Sequence, residues 1–148
     1  MGNREWDDAP DDSISTGFEE DSHAREISGH HDLDVWKLAM DLAVEIYALT
    51  AKFPQEEKYG LSSQLRRATV SISANIAEGY GRETTGAYIQ FLRIAQGSTR
   101  EMQSLLELSK RLDFVKHDSA KQVNAVAIRV SKMLRALIRS LEYGPKRR

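Results

Sequence analysis

The chain has 148 residues, no cysteine and a formal net charge of −1. That length suits one domain with a real core, and the missing thiols exclude disulfides, thiolate catalysis and cysteine-based zinc sites. No apolar run approaches a membrane span, and the acidic start lacks the basic-then-apolar order of a signal peptide, so the cytoplasm is the expected compartment.

Charge is unevenly placed along the chain. Residues 1–30 hold nine acids against two bases, a net of −7, while the remaining 19 bases and 13 acids give +6. Trp6, Ile14, Phe18 and Ile27 are scattered there without period. The expectation is a disordered acidic tail over residues 1–30, followed by a helical domain over 31–148. Such a tail either solubilises the protein or folds over its basic part and competes with nucleic acid.

The first helix is predicted from near Asp34, capped by Asp32 or Asp34, to about Lys52. Val35, Leu38, Leu42, Ile46 and Leu49 form its stripe, and Trp36, Ala39, Ala43 and Tyr47 widen it. Phe53-Pro54 ends it, because proline cannot continue the backbone ladder. In the second helix, Leu61, Leu65, Ala68, Ile72, Ile76 and Gly79 repeat at steps of three and four, the spacing of one buried face. Gly79 and Gly81 read as the exit from this helix in a left-handed conformation. Its other side, Val70, Ala74 and Ala77 flanked by Arg66 and Arg67, is unusually apolar. That face meets either a second neighbour in the same bundle or a partner subunit, which makes the three residues the candidate oligomer interface.

Thr84 or Thr85 caps a long third helix, from about Gly86 to Leu112. Gly97 sits in its middle, where glycine costs about 1 kcal/mol against alanine. Close approach of a neighbouring helix is the expected compensation, with a kink as the alternative. After a loop from Asp113 to Asp118, Asp118 or Ser119 caps a fourth helix that runs to about Tyr143. Its stripe is Val123, Val126, Ala127, Val130, Leu134, Leu137, Ile138 and Leu141, and Gly144-Pro145 stops it. Four amphipathic helices joined by short loops predict an all-α, antiparallel up-down-up-down four-helix bundle.

Almost diametrically opposite the apolar stripe of the fourth helix lie Lys121, Lys132, Arg135 and Arg139. They fall within about 60° of one another, and Lys146 joins them if the helix extends that far. A row of outward cations suits phosphate contact, which needs charge more than shape; the ordinary alternative is a solvated face. Arg66, Arg67, Arg82, Arg93 and Arg100 add further cations. Chemistry of other kinds has little support. A carboxylate-bridged di-metal bundle needs inward Glu-x-x-His pairs, and none of the four predicted helices carries one. The glycines of E-G-Y-G-R follow no strand, and Ser71, Ser73 and Asn75 have no paired base. No catalytic residue, metal or cofactor is therefore expected, and the protein reads as a non-enzyme. Asn75, Glu78, Gly79 and Arg82 form a polar structural motif, with a hydrogen bond across the bundle or to the Gly79–Arg82 turn and Arg82 as the mate of Glu78. A recognition site for a partner chain is the alternative.

Several segments carry a family resemblance: D-L-D-V-W-K-L-A from Asp32, F-P at Phe53, Y-G-L-S-S-Q-L-R-R-A from Tyr59, S-I-S-A-N-I-A-E-G-Y-G-R from Ser71 and Y-I-Q-F-L-R-I-A-Q-G-S from Tyr88. Over about residues 31–141 the chain resembles the "four helix bundle protein" family, whose members are also called 23S rRNA intervening-sequence proteins. The acidic residues 1–30 have no counterpart in that pattern. The resemblance implies a small antiparallel bundle, commonly assembled as a ring-like homopentamer, and genes lying within insertions in bacterial 23S rRNA genes. It also implies kinship with the accessory variability proteins of diversity-generating retroelements, which bind a reverse transcriptase and nucleic acid through a basic surface. No catalytic residue transfers from the family. The leading expectation is a non-enzymatic homo-oligomer that binds RNA or DNA through Lys121, Lys132, Arg135 and Arg139, supported by Arg66 and Arg67. The alternatives are a protein-interaction scaffold, such as an accessory subunit for a reverse transcriptase, and a structural oligomer without a nucleic-acid role.

Overall fold

The computed structural model describes residues 31–144; the acidic segment 1–30 and the basic end Lys146-Arg147-Arg148 lie outside the described residues. Four helices make up the fold: α1 (His31–Thr50), α2 (Leu61–Tyr80), α3 (Thr85–Arg111) and α4 (His117–Tyr143), with a 3-10 turn at Gln55–Glu57. No strand occurs among the described residues. Each helix packs mainly against two others, α1 against α2 and α4, and α3 against α2 and α4. The result is a four-helix bundle around one core.

Most positions of the predicted stripes form the core, while Leu38, Leu49, Val126 and Leu141 are half-buried against it and Tyr47 is exposed. Val35, Ala39, Leu42 and Ile46 of α1, Leu65, Ile72 and Ile76 of α2, Leu92, Ala95 and Met102 of α3, and Ala127, Val130 and Leu134 of α4 are wholly buried. Each buried Leu, Ile or Val contributes about 1.5–3 kcal/mol relative to an exposed side chain. Contacts sort the chain into two ends. At one end the connectors after α1 and α3 meet through Phe53 and Phe114, ring centroids 5.8 Å apart. At the other, the start of α1 meets the start of α3, where Tyr88 Oη donates to Asp32 Oδ2 at 2.7 Å. There too Arg93 of α3 pairs with Glu142 near the end of α4.

The starts of α1 and α4 depart from the sequence expectation, while that of α3 follows it. Asp32 lies inside the first turn of α1, buried, with Tyr88 as a partner 56 residues away. The start of α2 is capped from outside by Glu57, whose Oε2 accepts from Leu61 N at 2.9 Å. Thr84 does cap α3, accepting from Ala87 N. At α4 the N-cap is Lys116, which makes no side-chain cap bond, so Asp118 and Ser119 fall in the first turn instead of capping it.

The glycine expectations are reversed. Gly81 is right-handed (φ −75°, ψ −5°), and Gly79 lies within α2. A Cβ at Gly79 would stand 2.7 Å from Phe91 Cβ and 2.9 Å from Tyr88 Cδ2, so this glycine serves the close approach of α2 and α3. Gly97, expected to mark such an approach, is exposed, with no described residue beyond its own helix backbone within 4 Å of where its Cβ would be. The left-handed exit belongs to Asp113 (φ 61°), just beyond α3. Asp113 N bonds to Lys110 O and Phe114 N to Ser109 O, both at 3.0 Å, which is the paired pattern of a Schellman cap.

Candidate nucleic-acid interface

Helix α4 owes its orientation to its apolar stripe. With Val123, Ala127, Val130, Leu134, Leu137 and Ile138 buried, the helical period turns Lys121, Lys132, Arg135 and Arg139 outward, and all four are exposed. The row spans about 27 Å at the helical rise, and its last three cations span about 10 Å. None of the four is in an ion pair among the described residues. Ile128, 41% exposed, interrupts the row between Lys121 and Lys132. Glu142, the acid nearest its end, is held by Arg93 of α3 at 2.6 Å, which limits its competition for the row. Lys146 lies outside the described residues.

Other cations are committed locally. Arg82 pairs with Glu78 as expected, and its guanidinium sits 4.7 Å from the Phe91 ring centre. Lys110 and Arg111 both bond Glu107, and together they hold its carboxyl below the ordinary value. Asn75 stays within α2: its Nδ2 donates to Ser71 O and Ser71 Oγ. The bridge to α3 is the bond shared by Ser71 Oγ and Ser98 Oγ at 2.8 Å.

Arg66 and Arg67 do not join the α4 row, because α2 stands across the bundle from α4. Arg66 turns toward α1 instead. Its Nε donates to Thr50 Oγ1 at 2.8 Å, and its guanidinium carbon lies 4.5 Å from the Tyr47 ring centre. Beside it, Lys58 Nζ sits 5.5 Å from the ring centre of Tyr59, a side chain on the connector that is 88% exposed. These residues, with Arg67, Ser63, Val70 and Ser71, line a cleft of about 550 Å³. The cleft is not legible as a site in the sequence, because its members come from three separate segments; the Lys-Tyr pair in a connector without apolar period is the only local signal.

The expected oligomer interface is partly uncovered in the single chain. Val70 and Ala74 are exposed, and Ala77 is half-buried against the core. On the helical projection they share the side of α2 that carries Arg66, which is the side toward α1. Met40, Val44 and Tyr47 of α1 are exposed as well. No described helix is long and apolar enough to cross a membrane.

A family model described as 23S rRNA-intervening sequence protein matches residues 31–136. The fold is similar to the crystal structure of a protein with unknown function from the S23 ribosomal protein family of Bacteroides thetaiotaomicron VPI-5482. The TM-score is 0.69 at 27% identity, covering 74% of this chain and 98% of that one. No curated protein matches the chain.

Proposed function

This chain belongs to the 23S rRNA-intervening sequence protein family, and from that premise we propose that it is a non-enzymatic accessory protein of the cytoplasm that binds RNA or DNA through the outer face of α4. The observation that carries the reading is the row Lys121, Lys132, Arg135 and Arg139, exposed, opposite the core and unpaired among the described residues. Phosphate binding of this kind is electrostatic and weakens steeply with salt as condensed counterions return. The end-to-end contacts favour antiparallel, up-down-up-down helices, which present α4 along the full length of the bundle. Homo-oligomerisation through Val70, Ala74 and Ala77, with Met40 and Val44 beside them, multiplies a weak single-chain contact by avidity. It also gives Arg66 and Arg67 a route to the same ligand, since within one chain they face away from the row.

The same uncovered apolar face supports a second reading, a scaffold whose partner is another protein such as a reverse transcriptase. One experiment separates the two: absolute mass in solution, with and without a duplex RNA, across a salt series. Charge reversal by Lys132→Glu, Arg135→Glu and Arg139→Glu is expected to remove RNA binding and leave the oligomer mass unchanged. A wild-type oligomer indifferent to RNA at low salt sinks the nucleic-acid reading and leaves the scaffold.

A further inference from the structure

The geometry points to a second, separate nucleic-acid site in the α1–α2 cleft, one built to take the unpaired bases of a single strand. The inference extends the nucleic-acid reading to another surface, and it can fail or stand apart from the α4 row.

Three properties of the cleft carry it. First, its lining holds three cations, Lys58, Arg66 and Arg67, and two aromatics, Tyr47 and Tyr59, with no acid among them. Second, two of the three cations lie over the aromatics, Lys58 on Tyr59 and Arg66 on Tyr47. The Arg66 guanidinium is fixed over Tyr47 by its bond to Thr50 Oγ1, and Thr50 is itself anchored by donating to Ile46 O at 2.7 Å. Neither Arg66 nor Arg67 is in an ion pair among the described residues. Third, Tyr59 is 88% exposed, a large ring outside the hydrophobic core of the described residues.

A single-stranded nucleic acid presents phosphates and open base faces in alternation, and cations interleaved with aromatic platforms match that alternation. A duplex does not match it, because its bases are stacked and closed inside. The neighbouring half of the α1–α2 face shows the contrast: Met40, Val44, Ala74 and Ala77 are apolar, suited to protein contact, with Val70 on the boundary and lining the cleft as well. A second copy packed over the cleft half would have to desolvate three cations without an acid from this face.

The test uses the full chain, a short fluorescent oligouridylate and a duplex RNA of the same length, titrated at low and high salt. Tyr59→Ala is expected to weaken oligouridylate binding by about fivefold or more, the range of one lost stacking contact. Tyr59→Phe should restore it, and neither change should alter duplex binding. Photocrosslinking of a bromouridine probe should map to Tyr59 or Tyr47. If the wild-type protein ignores duplex RNA yet shows the Tyr59 dependence, the α4 reading fails and the cleft stands. Wild-type affinity for oligouridylate in Tyr59→Ala overturns the proposal. So does loss of oligomer mass in that variant, which would give the cleft to a second copy.

Discussion

The outer face of α4 and the α1–α2 cleft are both basic, but they hold their charge differently. On α4 the cations sit at the ends of exposed stems, spaced only by the helical period, with Ile128 as the one large apolar side chain exposed in the row. In the cleft Lys58 and Arg66 are held against rings, and Arg66 is further fixed by Thr50. A free cation contributes long-range, salt-screened attraction and loses rotamer freedom when it binds. A stacked guanidinium has already lost part of that freedom and offers a planar face beside its charge. The same type of side chain therefore makes a phosphate row in one place and a base platform in another.

Salt gives the largest expected difference between them. Each phosphate contact removed should lower the steepness of log affinity against log salt by about one, so the single changes Lys132→Gln, Arg135→Gln and Arg139→Gln should each lower it by about one for duplex RNA. Oligouridylate held by stacking should keep a larger share of its affinity at high salt. Equal salt slopes for both ligands, both abolished by the α4 changes, would reduce the two surfaces to one.

A backbone perturbation comes next in size. Gly79→Ala places a Cβ 2.7 Å from Phe91 Cβ, an atom that cannot swing aside, so α2 and α3 must separate. The expected loss is about 1–3 kcal/mol of stability, read as a fall in melting temperature of several degrees. Because α2 carries Arg66 and Arg67 while α4 stays in place, oligouridylate binding should suffer more than duplex binding. An unchanged melting temperature would mean that the α2–α3 contact is looser than this distance implies.

Why one surface was legible and the other was not follows from where their residues lie. The α4 row and every buried stripe belong to single helices, so a period of 3.6 suffices to place them. The cleft joins residue 47, residues 58–59 and residues 66–67 across a connector, and no periodic rule brings these together. Two helix ends departed from the local rules for the same reason. Asp32 is used by Tyr88 of another helix, and the left-handed position went to Asp113, beside the Phe114 that packs on Phe53, although glycines at 79 and 81 fitted the local rule better. The Glu78–Arg82 pair was readable because it lies one turn apart on the chain.

Arg66→Lys probes the stack with less disruption. Lysine keeps the charge but lacks the planar fork that lies over Tyr47 while donating to Thr50 Oγ1. Oligouridylate affinity should fall about threefold to tenfold and duplex affinity should hold. Full retention of both would show that charge alone serves the cleft, making it a second phosphate row.

The smallest expected effect concerns Gly97, which lies on α3 outside both surfaces. No described residue beyond its own helix backbone lies within 4 Å of the Cβ position, so Gly97→Ala should simply recover helix propensity. The expected gain is about 1 kcal/mol, or a few degrees in melting temperature, with both nucleic-acid affinities unchanged. A loss of oligomer mass would reverse the sense of this result. The glycine would then serve a close approach after all, but to a helix of another copy, and the contact between copies would lie on α3 rather than on the apolar half of the α1–α2 face.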